Sequence, residues 1–231
     1  VLSVSCYAAF ADNGIKEEPF HLKRSLGSTL ELSCGNDEDI VVYGSGFLVE
    51  GDGPNVVSNA HVVTFSEDGI YRAYEVIEAR FYDSDRAYNL YVVSFDVRKD
   101  IAVMGFYDDV IEREPFMLET RMADYGEEVM GIGNARGYGL SLSEGIVSIP
   151  LINIVRNGTE RPSVVTTAPI NEGDSGGPLI NTDGKVIGMM SFRLKDESNN
   201  SIYGMSYAIP SAEISKYISS VGSSDKPLED A

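Results

Sequence analysis

Residues 170–181 read INEGDSGGPLIN, a stretch in which Ser175 stands between a Gly-Asp pair and two further glycines. Glycine loses more conformational freedom on folding than any other residue and weakens the interior of a strand. Such a stretch is therefore typical of a sharp backbone bend that exposes one hydroxyl group. The alternative at this point is an ordinary glycine-rich turn after a strand. The rest of the sequence decides between the two.

The composition limits the fold and the partners. With 231 residues, of which 43% are hydrophobic, the chain is long enough for one large all-β domain or two small barrels. Its net charge of −18 argues against binding to nucleic acid or to an anionic membrane surface, since both need a basic face. No window approaches the roughly 20 apolar residues of a membrane span. We therefore expect neither a nucleic-acid partner nor a membrane span.

The N-terminal residues 1–11, VLSVSCYAAFA, form a short apolar run with two interpretations. Residues 9–11, Ala-Phe-Ala, resemble the cleavage site at the end of a secretory signal, although a charged start is absent. Alternatively, Val1 begins a mature N-terminal strand that packs on the body of the protein. Both interpretations remain open at this point.

Two cysteines and two histidines limit the disulfide and metal chemistry. Cys6 and Cys34 are compatible with one disulfide that ties down the N-terminal arm, or with two unpaired buried thiols. There is no Cys-x-x-Cys pair, and the histidines are His21 and His61. We therefore expect no metal site.

The pattern along the chain is one of many short β-rich runs separated by Gly, Asn and Asp, which predicts an all-β sandwich or barrel. Asp183-Gly184 between apolar flanks predicts a hairpin. One helix is predicted after Pro210, because Ile214, Tyr217, Ile218 and Val221 share one apolar face. Residues 108–126 are the expected connector between two β halves.

A serine hydroxyl becomes a useful nucleophile only when a base removes its proton. His21 lies in the N-terminal arm without catalytic residue types around it, so His61, delivered by the β-rich run NVVSNAHVV, is the candidate base. A histidine base needs a third group that fixes its tautomer, and Asp100 stands directly before the apolar run IAVMGF. The order His61, Asp100, Ser175 is one of several known for this triad and accompanies double β-barrels.

The glycines around Ser175 fit the same chemistry. The tetrahedral intermediate of acyl transfer carries an oxyanion, which needs backbone N–H donors. Gly173 allows a bend in which its own N–H and that of Ser175 converge, and Gly176 and Gly177 allow substrate to approach closely.

Five ordered blocks carry a resemblance to a known family. They read GSGFLVEGDGPNVVSNAHVV (44–63), KDIAVMGF (99–106), EEVMGIGNARGYGLSLSEGIVS (127–148), TTAPINEGDSGGPLINTDGKVIGM (166–189) and YGMSYAIPSAEISKYI (203–218). Together they resemble the HtrA/Deg-type branch of the trypsin-like, chymotrypsin-fold serine endopeptidases, across roughly residues 40–220.

The resemblance implies an all-β chymotrypsin fold, with two six-stranded antiparallel β-barrels, a C-terminal α-helix, and the active site between the barrels. We expect an N-terminal arm (1–35), an N-terminal barrel (36–115), a C-terminal barrel (116–210) and a C-terminal helix and tail (211–231). His61 is then the general base, Asp100 its orienting acid and Ser175 the nucleophile, with Gly173 and Ser175 as the oxyanion hole.

The resemblance also implies the biological setting. It predicts an endopeptidase that needs no cofactor, acts on unfolded or flexible polypeptides through an acyl-enzyme, and works outside the cytoplasm, either secreted or periplasmic. HtrA-type proteases often form trimers, and the N-terminal arm would be the contact. The alternative is a latent or inactive protein with the protease fold and a chaperone-like or binding role.

Three features depart from the family pattern. HtrA-type proteins usually carry PDZ domains after the protease, whereas this sequence stops at Ala231, either as part of a longer protein or as a protease-only relative. Asp174 stands where the family usually has Asn, so it either pairs with a processed N-terminus or is held by local hydrogen bonds. The segment between His61 and Asp100 is long and tyrosine-rich, and we expect it to extend a loop beside the cleft.

The pocket for the substrate side chain that precedes the cleaved bond is expected at Pro169 and Ile170 and along Ser191, Phe192 and Arg193. A floor without Asp argues against a preference for Arg or Lys, and one without His argues against glutamate specificity. The apolar floor favours a small or medium aliphatic residue such as Val, Ala or Leu before the cleaved bond. Arg193 either narrows this pocket, favours an acidic group nearby, or faces solvent.

Overall fold

The structure is a computed structural model. It describes residues 19–36, 39–51, 55–107, 112–156, 158–195 and 201–221. Residues 1–18, which include Cys6 and the first half of the arm (1–35) expected to form the contact between subunits, and the tail after Val221 lie outside the described residues.

The first half of the chain forms a closed antiparallel barrel in the strand order β1-β2-β3-β8-β7-β6. Inward-facing positions alternate along its strands, as in β6, where Ile77, Ala79 and Phe81 are buried. A separate two-stranded hairpin, β4–β5, follows the short helix that carries His61. The bounds are β1 (Thr29–Asn36), β2 (Asp39–Val49), β3 (Asn55–Ser58), β4 (Thr64–Glu67), β5 (Ile70–Ala73), β6 (Val76–Phe81), β7 (Ala87–Asp96) and β8 (Ile101–Phe106).

The second half forms another closed antiparallel barrel, in the order β10-β11-β14-β13-β12-β9. Its longest hairpin joins β10 to β11 and pairs Arg156 with Thr159 at its tip. The bounds are β9 (Glu128–Gly133), β10 (Ser141–Arg156), β11 (Thr159–Thr166), β12 (Pro178–Asn181), β13 (Val186–Lys195) and β14 (Ser201–Pro210).

Three α-helices and two single turns of 3-10 helix complete the described chain. The C-terminal helix α3 buries Ile214 and Tyr217 against the core, with Ile218 and Val221 partly buried beside them. None of the described helices is long and apolar enough to cross a membrane. The bounds are Pro19–His21 and Ala135–Gly137 for the 3-10 turns, and α1 (Leu22–Gly27), α2 (Ala60–Val63) and α3 (Ser211–Val221) for the α-helices.

One apolar cluster joins the two barrels. It contains Phe47 from the first barrel, Ile132 and Met189 from the second, and Phe116 from the connector. The rings of Phe47 and Phe116 meet edge to face at 6.0 Å. Because burial of such side chains contributes about 1.5–3 kcal/mol each, the barrels are fixed against one another and can hold a site between them.

The fold predicted from the sequence is confirmed, with two six-stranded antiparallel barrels and a C-terminal helix. The hairpin at Asp183-Gly184 also forms, with Gly184 at a φ of +70°. The structure differs at β1, which starts at Thr29 and so lies mostly within the residues 1–35 that we expected to be an arm. Cys34, in β1, is a free buried thiol whose pKa burial raises to about 12.

Candidate active site

Ser175 lies in the tight bend that the sequence predicted, directly before β12. Gly173 has a φ of +95° and Gly176 a φ of +86°, values that favour glycine. A Cβ on Gly173 would lie 2.1 Å from the Asn134 carbonyl oxygen, and one on Gly176 would lie 2.2 Å from that of Ser45. The glycines therefore let the bend pack tightly against both barrels while the Ser175 side chain stays half-buried at the cleft.

His61 and Asp100 meet at the cleft from the first barrel. The Nδ1 atom of His61 lies 2.9 Å and 3.0 Å from the two carboxylate oxygens of Asp100. The His61 backbone N–H also donates to Asp100 Oδ1 at 3.1 Å. These contacts orient the imidazole, whose side chain is 46% exposed while that of Asp100 is 4% exposed.

Three groups besides His61 hold Asp100 in place. It adopts a φ of +61°, and Asn59 Nδ2 donates to its backbone carbonyl at 3.0 Å. The Ser191 hydroxyl donates to Oδ2 at 2.9 Å, and Arg161 Nη1 lies 3.5 Å from the same oxygen. Burial alone raises the pKa of Asp100, but the charge and hydrogen bonds of His61 and the Ser191 hydroxyl outweigh it and lower that pKa. The carboxylate is therefore ionised at neutral pH.

The Ser175 hydroxyl does not bond to His61 in this structure. It donates to the Ser191 backbone carbonyl at 2.9 Å, and no hydrogen bond joins it to the imidazole among the described residues. Both side chains line the same cavity. A rotation of the Ser175 side chain is therefore the movement that a proton transfer to His61 requires.

The backbone N–H groups of Gly173 and Ser175 are available to bind an anion. The Arg136 N–H donates to the Glu172 carbonyl at 2.7 Å, which turns that carbonyl toward Arg136. The Glu172–Gly173 peptide bond is trans, so the Gly173 N–H points the opposite way. Neither the Gly173 N–H nor the Ser175 N–H has a protein acceptor within the described ranges.

Ser45, from the first barrel, clamps this loop through three contacts. Its hydroxyl donates to the Gly173 carbonyl at 2.7 Å and accepts from the Asn134 N–H at 2.8 Å. Its backbone N–H donates to the Ser175 carbonyl at 2.9 Å. Ser45 is fully buried, so the loop of the second barrel that carries Gly173 and Ser175 is fixed by a side chain of the first.

Asp174 is a buried carboxylate with one unpartnered oxygen. Oδ2 accepts from the Asn171 N–H at 2.6 Å, whereas Oδ1 is buried and has no donor in the described part of the chain. Burial raises the pKa of Asp174, and the Asn171 hydrogen bond and the charge of Arg193 offset only part of this. The local hydrogen bond that we considered is present, and the N-terminal partner lies outside the described residues.

The cavity beside Ser175 has a volume of about 480 Å³, within the range of ligand sites. Four of the five residues expected in the side-chain pocket line it, whereas Pro169 is exposed outside it. Those four are Ile170, Ser191, Phe192 and Arg193.

Sequence reasoning missed Arg156, which lines the same cavity and stacks over the Phe192 ring at 4.2 Å. It also missed Ser45 and Arg161, which reach the site from distant strands. Among the described residues, no cluster of three metal-ligating side chains occurs.

Comparison with known proteins agrees with this geometry. Residues 44–189 match the trypsin-like peptidase domain. The serine protease Do-like HtrA of Lactobacillus helveticus is 31% identical over 163 residues, covering 69% of this chain and 37% of that protein. The serine protease HTRA3 of Rattus norvegicus is 33% identical over 196 residues, covering 81% and 39%.

The periplasmic serine endoprotease DegP of Escherichia coli K12 is 31% identical over 186 residues, covering 77% of this chain and 35% of DegP. The chain thus spans less than half the length of each of these three relatives.

Proposed function

This chain belongs to the trypsin-like peptidase family and resembles its HtrA-type members, and from that premise we propose that it is a serine endopeptidase. The observation that carries the proposal is the His61–Asp100 pair at 2.9 Å in the same cavity as Ser175. The free N–H groups of Gly173 and Ser175 supply the second requirement of acyl transfer, a site for the oxyanion.

The proposed mechanism assigns one role to each group. His61 Nε2 removes the Ser175 proton as Oγ attacks the peptide carbonyl, and the Gly173 and Ser175 N–H groups donate to the oxyanion that forms. Asp100 holds the Nδ1–H tautomer and stabilises the imidazolium. His61 then protonates the leaving amine, and a water molecule hydrolyses the acyl-enzyme by the same steps in reverse order.

The substrates that we propose are unfolded or flexible polypeptides, cut after small or medium aliphatic residues. Ile170 supplies an apolar wall to the cavity, and no carboxylate lies at the expected pocket positions to attract Arg or Lys. An apolar pocket discriminates by only about 1–3 kcal/mol per methylene, so cleavage at several sites is expected. By analogy with the periplasmic relative DegP, the protein would act outside the cytoplasm, and the resemblance to HtrA-type proteases predicts a trimer.

Hydrolysis of unfolded casein tests the proposal. The unmodified protein should release peptides, and Ser175→Ala and His61→Ala should each lower the rate by at least about a thousandfold. Ser219→Ala, at an exposed position on α3, is the matched control and should retain full activity. Hydrolysis that persists at the same rate in Ser175→Ala would refute the assignment.

A latent form is the second candidate, and the Ser175–Ser191 hydrogen bond favours it. In that form the hydroxyl stays on the Ser191 carbonyl and away from His61 until a substrate or a partner displaces it. A lag before casein hydrolysis, abolished by preincubation with peptide, is the expected behaviour of this form.

A further inference from the structure

The cleft holds more positive charge than the proposed chemistry uses. Of the residues that line the cavity in the described part of the chain, Arg156 and Arg193 are cationic and Glu172 is anionic. The protein as a whole carries a net charge of −18, so a cationic wall beside the nucleophile is a local reversal of the surface charge.

Among the described residues, Arg156 has no hydrogen-bond acceptor for its guanidinium donors. Its Nη1 is buried without an acceptor, and its guanidinium forms no ion pair or hydrogen bond within the described ranges. Asp100 is the nearby carboxylate that attracts it, but His61, Ser191 and Arg161 already bind that group. Arg156 is therefore a cation without a carboxylate partner, whereas Arg161 pairs with Asp100.

Stacking holds the Arg156 guanidinium in place. It lies 4.2 Å from the centroid of the Phe192 ring, and Phe192 in turn stacks on Tyr207 at 5.0 Å with an interplanar angle of 15°. A guanidinium fixed on an aromatic face has lost part of its freedom before a ligand arrives. Its planar set of N–H donors suits a carboxylate, which can accept two of them together.

We propose that Arg156 binds an acidic side chain of the substrate, upstream of the residue that precedes the cleaved bond. The inference rests on the proposed endopeptidase function and adds a substrate class to it. Among the described strands, β13 pairs with β12 only as far as Met189, whereas Phe192 and Arg193 pair with β14 alone. One edge of β13 is therefore open to a substrate strand beside Ser175. A Glu or Asp one or a few residues from the scissile bond on such a strand comes within reach of Arg156. The protease would then recognise both the aliphatic residue before the cleaved bond and the acidic residue upstream of it.

Peptide binding to the Ser175→Ala protein tests the inference without relying on turnover. The probes are fluorescein-labelled alanine-based decapeptides with a central Val, carrying Glu or its neutral isostere Gln at one upstream position at a time. At low salt, the Glu peptide should bind about five- to twentyfold more tightly than the Gln peptide at one position. The difference should shrink at high salt.

Three variants in the same background isolate the guanidinium. Arg156→Met keeps an apolar stem on Phe192 and should reduce the Glu preference to within about twofold. Arg156→Lys keeps the charge and should retain the preference in weaker form. Arg72→Gln changes the net charge equally at an exposed position on β5 and should leave the preference intact.

Equal affinity for the Glu and Gln peptides, a preference that survives Arg156→Met, or no measurable binding of any Glu peptide would overturn the inference. Hydrolysis by the protein with Ser175 intact is a separate readout. Turnover of both peptides at equal efficiency refutes the acidic preference and leaves the endopeptidase function standing. A Glu preference in binding without any turnover supports the Arg156 site and refutes the proposed function.

Discussion

Replacement of Ser45 by alanine tests how the first barrel supports the oxyanion loop of the second. The Ser45 hydroxyl makes a partly buried hydrogen bond to the Gly173 carbonyl at 2.7 Å and accepts a buried one from the Asn134 N–H at 2.8 Å. Alanine removes both bonds and leaves a buried donor and a partly buried acceptor without these partners. Asn134 and Ser45 are almost inaccessible to solvent, so water cannot easily replace the hydroxyl.

The size of the effect follows from these bonds. Two lost hydrogen bonds and their unsatisfied partners should lower the free energy of unfolding by about 2–4 kcal/mol. In a chain of this length that corresponds to a fall in Tm of about 5–12 °C. Because the Gly173 carbonyl, between the two N–H donors, is no longer held, kcat should also fall by about tenfold, with KM changed less, since the oxyanion forms only after substrate binds.

Calorimetry and peptide hydrolysis measure the two effects separately. Ser58→Ala is the matched control, because the Ser58 hydroxyl donates a single hydrogen bond, to the Ser45 carbonyl at 2.7 Å. It should cost about 1 kcal/mol of stability. If Ser45→Ala melts within about two degrees of the unmodified protein and keeps its kcat, the clamp is not what fixes the loop.

The other predictions concern titratable groups at the site. Asp100→Asn should lower kcat by about a thousandfold or more, because an amide cannot hold the His61 tautomer; a loss under tenfold in a steady-state assay would contradict this. Burial raises the pKa of Asp174 in the folded protein above its value in the unfolded chain. As pH rises from the unfolded pKa to the folded pKa, the unfolded chain loses the proton first, so the free energy of unfolding falls. Asp174→Asn should therefore raise the Tm at pH 7 and lose this advantage at about pH 4 and below; an equal gain at both pH values in calorimetry would refute the buried-charge explanation.

The sequence predicted the residues whose chemistry leaves a local pattern. The GDSGG bend identifies Ser175, and the short supply of histidines leaves His61 as its base. The spacing of β-rich runs predicts an all-β sandwich or barrel, one apolar face predicts the helix α3, and the resemblance to HtrA-type proteases implies the double barrel. These features depend on neighbours in the chain, so a single sequence contains the information.

The residues that sequence reasoning missed act across the fold. Ser191 was expected in the side-chain pocket, yet its hydroxyl also binds Asp100. Arg156 and Arg161 lie near the tip of the β10–β11 hairpin. Closure of the second barrel brings Arg156 to Phe192, and the packing of the two barrels brings Arg161 to Asp100. The strand β1 begins before residue 40, where the family resemblance starts, and was therefore assigned to the arm.

Covalent labelling of Ser175 tests the central claim most directly. The protein is incubated with a fluorophosphonate at pH 8, and the adduct is located by mass spectrometry of the digested chain. We predict one adduct, on Ser175, formed quickly by the unmodified protein and slowed by at least about a hundredfold in His61→Ala. An unlabelled Ser175 in the folded protein, or labelling that is independent of His61, would contradict the account.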